Sequence, residues 1–286
     1  MSNNNILYFP TYTTVDESPG LVMTELKREV FDYPFMDLGI PHQRGSANRV
    51  ALADIADEYE VASPLALKGF VFHCSHCGST LLSRMLSKLP GIRLVSETEA
   101  INGLLLAYRL YDMDRQKVLK YLKYIISQYQ QAFPGDEYLL FKTTSWNIYF
   151  VDLFQELFPD TPWIYIDRDT AAAVDSSLRD GGGFVQWWDY PTDRLWRQFL
   201  ADRYSPHDKR SYVESFMIDQ RRVAHAHKNN QSLFVKYPEW IESFSSQLLK
   251  HFGLAFTKGE IEQALDMLNF ESKAVGSEPF TKVNSK

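Results

Sequence analysis

The sequence predicts an α/β protein with a mostly parallel central sheet in a three-layer α/β/α arrangement. From Gly69 onward, short apolar runs alternate with longer segments of helical periodicity, as in folds built from βαβ units. The apolar runs are continuous rather than alternating, which is typical of strands that helices cover on both faces. At 286 residues the chain is long enough to bury a large core of this kind.

Each element follows from its own stretch of sequence. The apolar runs with the length of buried strands are residues 69–74, 92–96, 138–142, 163–167 and 232–237. The segments with helical periodicity are residues 78–89, 99–111, 115–133, 145–158 and 170–178. Strands and helices in this order predict parallel pairing through right-handed crossovers.

The N-terminal part lacks this alternation. Residues 1–66 are predicted to form an irregular extension packed on the α/β domain, which then covers residues 67–286. Prolines interrupt the extension at Pro10, Pro19, Pro34, Pro41 and Pro64. One short helix is predicted over residues 47–60, where the sequence reads ANRVALADIADEYE.

Charge and hydropathy narrow the function classes. A net charge of -6 argues against general binding to nucleic acid or to membrane surfaces. No apolar run approaches the roughly 20 residues that span a bilayer. The N-terminus has neither a basic region nor an apolar stretch typical of a secretory signal. We therefore expect a cytoplasmic protein without membrane insertion and without a nucleic-acid partner.

The cysteines raise two alternatives at the end of the first apolar run, where the sequence reads HCSHCGSTLLSRML. Cys74 and Cys77 have the spacing of a thiol–disulfide oxidoreductase, in which a helix N-terminus lowers the pKa of the first thiol. The intervening Ser75-His76 is similar to the Cys-Pro-His-Cys of periplasmic disulfide oxidases, which work in an oxidising compartment that the absence of an export signal disfavours. A zinc site would need more ligands than Cys74, His76 and Cys77, which lie too close in sequence to close a tetrahedron.

The same stretch also has the features of an anion-binding loop. A strand ends, Gly78 permits a tight turn, and Ser79 and Thr80 open a helix whose backbone N–H groups point toward an anion. The Walker motif is absent, since no Gly-Lys-Ser/Thr occurs here. Taken alone, Gly-Ser-Thr is a weak signal, and an ordinary helix N-cap is its more common explanation.

Further motifs follow in order along the chain. Residues 76–86, HCGSTLLSRML, resemble the 5′-phosphosulfate loop of sulfotransferases, and residues 163–178, WIYIDRDTAAAVDSSL, resemble their 3′-phosphate motif. Arg168 and Ser176 have that motif's spacing of eight positions. Other stretches are similar to further elements of the same family, namely LVSETEAI at 94–101, LLFKTTSW at 139–146, and SLFVKYPEWIES at 232–243 followed by LLKHFGL. The resemblance therefore runs from about residue 69 to residue 254.

This resemblance implies a P-loop-type fold and a donor. Sulfotransferases move a sulfuryl group from 3′-phosphoadenosine 5′-phosphosulfate (PAPS) to a hydroxyl or amine and release 3′-phosphoadenosine 5′-phosphate (PAP), with no metal expected. The acceptor would be a small molecule or a glycan. The residues that would bind the donor are Cys77, Gly78, Ser79 and Thr80 at the phosphosulfate, with Arg168 and Ser176 at the 3′-phosphate.

The resemblance also implies catalytic residues. Glu97 stands at the position of the general base, with Glu99 as the alternative, although either could be a first-turn helix carboxylate. Lys142 would stabilise the bridging oxygen or the moving sulfuryl group, unless it is a solvated lysine at a strand end. His76 takes the place of the usual loop lysine or arginine and would donate to the leaving phosphate.

Two departures from the family pattern keep other functions open. His76 is only partly charged at neutral pH if its pKa is near the ordinary value of about 6.5. Thr170 stands where the family has a proline after Arg-Asp. A protein that binds PAPS or PAP without turnover is the first alternative, and a thiol–disulfide oxidoreductase is the second. The aromatic pair Trp187 and Trp188 is predicted to form either a lid over the acceptor or buried packing.

Overall fold

The computed structural model describes residues 7–56, 61, 64–190, 195–200 and 204–273. Within them the N-terminal segment is more regular than the sequence predicted. It forms a three-stranded antiparallel sheet in the order β1-β2-β3, from β1 (Tyr8–Thr13), β2 (Gly20–Leu26) and β3 (Arg44–Ala51).

The helix predicted over residues 47–60 is wrong where the structure describes it. Residues 47–51 belong to β3 and pair with β2, and a short 3-10 turn follows at Leu52–Asp54. Leu52 and Ile55 are buried just after the strand ends. Tertiary pairing thus overrides a weak local preference. Residues 57–60 lie outside the described part.

The central sheet has the predicted strands. It consists of β4 (Ala66–His73), β5 (Ile92–Ser96), β6 (Tyr138–Lys142), β7 (Trp163–Asp167) and β8 (Ser232–Lys236), in the order β5-β6-β4-β7-β8. The pairs β5–β6, β4–β7 and β7–β8 are parallel. The predicted α/β fold with a mostly parallel sheet is confirmed.

The strand order reverses direction at β4, because the next strands in the chain lie on one side of it and the later ones on the other. In open α/β sheets, ligands bind beyond the carboxyl ends of the strands at such a reversal. The loop that follows β4, residues 74–79, therefore occupies the position where this fold class most often binds a ligand.

Four of the predicted helices are present as continuous α-helices, and the fifth begins as a 3-10 helix at Ser145–Phe150. The α-helices are α1 (Met36–Gln43), α2 (Ser79–Ser87), α3 (Glu99–Leu110), α4 (Arg115–Gln128), α5 (Val151–Leu157), α6 (Thr170–Asp180), α7 (Lys209–Ala226) and α8 (Lys258–Leu265). None of the described helices is both long enough and apolar enough to cross a bilayer.

The chain forms two compact units, each with its own core. The first comprises Met1–Gly69, Thr80–Lys142 and Gly253–Lys286, and the second comprises Phe70–Ser79 and Thr143–Phe252. In the first, buried Arg93 lies over the rings of Phe9 and Phe31, at 5.3 and 5.2 Å from the ring centroids. In the second, Phe72 packs edge-on against Phe154 at 5.4 Å between centroids.

Candidate functional site

In the second unit, the loop after β4 requires glycine at position 78. Gly78 has a φ of +79°, in the left-handed region that side chains rarely adopt. A Cβ atom there would lie 2.5 Å from the Tyr237 ring, which follows β8. The close approach of this ring and the left-handed turn together explain why the loop has a glycine before the helix.

Cys74 and Cys77 are both buried, with 1% and 0% of their surface exposed. A hydrogen bond with Cys77, together with burial, raises the pKa of Cys74. Burial alone would raise the pKa of Cys77, but hydrogen bonds with Cys74 and His73 prevail and lower it to about 5. Exchange with an outside thiol or disulfide needs an accessible sulfur, and both cysteines are buried in this structure.

The zinc alternative rested on Cys74, His76 and Cys77. Among the described residues, no three His, Cys, Asp or Glu side chains form a group that could hold a metal ion.

In the second unit, His76 links the loop after β4 to the end of β7 and to α6. Its backbone carbonyl accepts a hydrogen bond from Arg168 Nη1 at 2.6 Å. Its ring Nδ1 lies 3.0 Å from Ser176 Oγ, and its Nε2 lies 3.3 Å from Asp180 Oδ2. The structure therefore brings together His76, Arg168 and Ser176, which the sequence placed up to 100 residues apart.

Arg168 lies at the end of β7 with its guanidinium over the ring of Tyr237, 5.1 Å from the centroid. The backbone N–H of Arg168 donates to Asp167 Oδ1 at 2.8 Å. The Asp167 carboxylate forms its ion pair with Arg221 from α7, at 2.6 Å. Nothing in the sequence distinguishes Arg221 from other arginines, because arginines are common on helices.

In the first unit, Lys142 and Glu97 form an ion pair at the ends of β6 and β5. The Lys142 side chain is fully buried, so it is not the solvated lysine that the sequence left open. Its ammonium lies 4.7 Å from the centroid of the Phe35 ring and 3.5 Å from Thr80 Oγ1. The backbone N–H of Glu97 donates to the Lys142 carbonyl at 2.8 Å, which fixes the two chain segments together.

Backbone strain marks two of the three predicted catalytic positions. Among the described residues, the non-glycine residues with positive φ are His76 at 57°, Glu97 at 54° and Asp112 at 46°. Left-handed backbone at a non-glycine residue costs about 1–3 kcal/mol and concentrates at functional sites. Two of these three positions are ones that the sequence assigned to catalysis.

Two carboxylates accompany Glu97 in the first unit. Burial raises the pKa of Glu99, the hydrogen bond with Asn102 opposes the rise, and the charge of Glu97 adds to it. Asp37 comes from the first turn of α1 and was not predicted from the sequence. Desolvation by neighbouring atoms raises the pKa of the Asp37 carboxyl to about 7, although the residue as a whole is exposed, and the charges of Glu99 and Glu97 contribute to the rise.

Replacing Asp37 with asparagine should change how stability depends on pH. The folded-state pKa of about 7 exceeds the ordinary value of about 3.9, so the folded chain binds an extra proton between these two pH values. Wild-type stability should therefore fall as pH rises through this window. Asp37→Asn has no carboxyl group to ionise, so its free energy of unfolding should not fall for this reason. Between about pH 4 and pH 8 the variant should therefore gain stability relative to wild type. Urea unfolding of both proteins at several pH values measures the difference, and parallel curves would contradict it.

The aromatic segment after α6 packs against neighbouring rings, with Trp187 and Trp188 half-buried. Trp187 stacks on Phe199 at 5.4 Å between centroids and contacts Trp146 at 5.9 Å. Trp188 stacks on Tyr212 of α7 at 5.5 Å. These contacts fit the packing interpretation of the pair.

Solved structures align with this chain only in part, and no match is found at the level of sequence. No protein-family model matches the sequence, and no curated protein matches it. A sulfotransferase from Alicyclobacillus acidocaldarius aligns over 73% of this chain and 96% of its own, with 13% identity and a TM-score of 0.43. A sulfotransferase from Mycobacterium avium aligns over 76% of this chain and 69% of its own, with 14% identity and a TM-score of 0.42. Overlap this partial assigns no activity and no residue role, so the α/β assignment rests on the strands and helices described above.

Proposed function

We propose that this protein is a PAPS-dependent sulfotransferase that transfers a sulfuryl group to a hydroxyl or amine of a small-molecule or glycan acceptor. The contact of Arg168 and Ser176 with His76 supports the proposal most directly. A nucleotide with phosphates at both ends of its ribose needs a loop at one end and basic or hydroxyl donors at the other. The second unit holds such a loop against the two predicted 3′-phosphate residues.

Donor binding would use local charge, since the chain as a whole is acidic. The backbone around Cys77, Gly78 and Ser79 would hold the phosphosulfate, with the first turn of α2 supplying N–H groups at its positive end. Thr80 would add its hydroxyl. Arg168 would grip the 3′-phosphate with two parallel donors, as guanidinium groups do.

Ser176 must change partners when the donor binds. In the structure its hydroxyl contacts the His76 ring, whose other nitrogen faces Asp180. The 3′-phosphate would replace His76 as the partner of Ser176. His76 is then released from this contact and can donate to the leaving 5′-phosphate, which is the role proposed for it.

In the chemical step, Glu97 would accept the proton of the acceptor as its oxygen or nitrogen bonds to sulfur. The bond between sulfur and the bridging oxygen breaks, its electron pair stays on the phosphate, and PAP leaves. Because the transition state is loose, catalysis requires mainly positioning and stabilisation of peripheral charge. Lys142, buried and already paired with Glu97, would supply positive charge to the transferred group.

A second candidate is a protein that binds PAP or PAPS without turnover. One observation favours it: the loop has His76 instead of a permanent cation, and the Ser176 and Asp180 contacts hold both ring nitrogens. Both candidates require the same nucleotide specificity, so binding tests the site and turnover separates the two functions.

Melting curves with PAP and with AMP test the proposed site. PAP should raise the melting temperature clearly and AMP far less, because only PAP carries the 3′-phosphate that Arg168 and Ser176 would bind. A ligand at about 100 times its dissociation constant adds roughly 2.7 kcal/mol to stability, which such curves resolve. Equal shifts with PAP and AMP would contradict the 3′-phosphate assignment.

A further inference from the structure

Arg221, on α7, donates hydrogen bonds from all three of its guanidinium nitrogens to the turn between β7 and α6. Its Nε and Nη2 donate to the two oxygens of Asp167 at 2.6 and 2.7 Å. Its Nη1 donates to Thr170 Oγ1 at 3.0 Å, and Nη2 also donates to the backbone carbonyl of Arg168 at 3.1 Å. One guanidinium therefore contacts the residue before Arg168, the carbonyl of Arg168 itself, and the residue two positions after it.

The turn that Arg221 holds is the one that presents Arg168. Arg168 reaches from this turn to the carbonyl of His76 and lies over Tyr237. A rotation of the turn would move the Arg168 guanidinium relative to the loop at residues 74–79. Charged donor groups must stay within about 0.5 Å of their productive positions, so contacts that fix this turn should affect the affinity for the ligand directly.

Thr170 is the first residue of α6, a position that favours proline because its N–H has no helical partner. The preceding residue, Asp169, has φ of -48° and ψ of 128°. This ψ lies in the range that residues before proline prefer. The backbone could therefore accept proline at position 170, and the chain has instead a threonine whose hydroxyl is fixed by Arg221.

We propose that Arg221 is a positioning residue for the 3′-phosphate site, and that its hydrogen bonds to Asp167, Thr170 and the Arg168 carbonyl supply the rigidity that a proline at position 170 would give. The role rests on the proposed function, since it concerns how Arg168 meets the donor. Arg221 itself would contact neither the donor nor the reacting atoms, because its donor groups bond to Asp167, Thr170 and the Arg168 carbonyl.

A purely structural ion pair would behave differently. If Arg221 only stabilised α7 against the sheet, its loss would lower the melting temperature and leave the ratio of PAP to AMP affinity unchanged. If it positions Arg168, its loss should lower PAP affinity selectively, and a second way of fixing the turn should restore it.

The test uses four variants of the full chain, with calorimetric dissociation constants for PAP and AMP and a melting curve for each. Arg221→Gln should weaken PAP binding about tenfold and AMP binding less than threefold. Thr170→Pro alone should stay within about threefold of wild type for both ligands. The double variant Arg221→Gln/Thr170→Pro should recover most of the lost PAP affinity. Arg210→Gln is the matched control, because Arg210 lies on the same helix and pairs with Asp175 of α6 at 2.7 Å.

The outcomes separate this role from the proposed function. If wild type binds PAP and AMP equally, the proposed site fails and the role of Arg221 fails with it. If wild type discriminates and Arg221→Gln keeps the same ratio of PAP to AMP affinity as wild type, the role alone is overturned. The role is also overturned if Arg221→Gln weakens PAP and AMP binding to the same extent and Thr170→Pro does not restore either affinity. It is overturned as well if Arg210→Gln weakens PAP binding as much as Arg221→Gln does.

Discussion

Arg168→Ala is expected to weaken PAP binding by about 10- to 100-fold and to leave AMP binding within about threefold. A hydrogen bond to a charged group contributes about 1.5–3 kcal/mol, and each 1.4 kcal/mol is a factor of ten in affinity. The guanidinium already lies at the turn beside Tyr237. Titration calorimetry with both nucleotides measures the two constants.

The matched control is Arg179→Ala, which removes an exposed arginine from the last turn of α6. It lowers the net positive charge near the site by the same amount without removing the proposed contact. An equal loss of PAP affinity in both variants would show that the effect is general electrostatic attraction. Arg168→Lys should lie between wild type and alanine, since an ammonium keeps the charge and loses the two-pronged geometry.

Glu97→Ala is expected to destabilise the fold by about 3–5 kcal/mol, because removing one partner of a buried ion pair leaves the other charge uncompensated. That partner is Lys142, whose side chain is fully buried. Glu97→Gly should be about 1 kcal/mol less destabilised than alanine, because glycine adopts the φ of 54° without strain. Urea unfolding provides the comparison, with Glu97→Gln/Lys142→Met as a control that removes both charges.

Glu97→Gln separates the catalytic role from the structural one. Glutamine keeps the size and a hydrogen-bond acceptor for Lys142 but cannot take the acceptor's proton at neutral pH. A general base contributes about 100- to 10,000-fold to the rate, so turnover should fall by that range while PAP affinity stays close to wild type. Equal losses of turnover and PAP affinity would place Glu97 in donor binding instead.

The central strands could be predicted because continuous apolar runs bounded by polar residues allow few alternatives. Four of the five runs differ from the observed strands by no more than one residue at either end, and β4 begins three residues earlier than predicted. The N-terminal sheet could not be predicted in the same way. β3 is almost wholly exposed, so no apolar alternation marks it, and its pairing with β2 depends on contacts between distant residues.

The predicted site residues and their partners divide in the same way, into those that a sequence pattern marks and those that only tertiary contacts reveal. The family resemblance predicted His76, Gly78, Glu97, Lys142 and Arg168, and each stands at or just after the carboxyl end of a predicted strand, where ligands bind in α/β sheets. Asp37, Asp180 and Arg221 carried no such signal. Each is an ordinary charged residue in or at the end of a helix, and only tertiary folding places it against a site residue.

The burial of Cys74 and Cys77 was equally invisible in the sequence. A Cys-x-x-Cys pair before a helix predicts reactive thiols when the sulfurs are exposed, and here the fold encloses both. In the proposed anion-binding loop, the two buried cysteines would fill space beneath the turn. The same motif therefore supports different chemistry depending on where the side chains lie.

Sulfuryl transfer from PAPS is the most direct test of the proposed function. Wild-type protein incubated with PAPS and a panel of hydroxyl and amine acceptors should release PAP faster than buffer alone, with the label of a ³⁵S donor appearing on one acceptor. His76→Lys should keep or raise this activity, and Glu97→Gln should lose most of it. If wild type and His76→Lys both bind PAP tightly yet neither transfers label to any acceptor nor hydrolyses PAPS, the sulfotransferase proposal is wrong and the nucleotide-binding alternative replaces it.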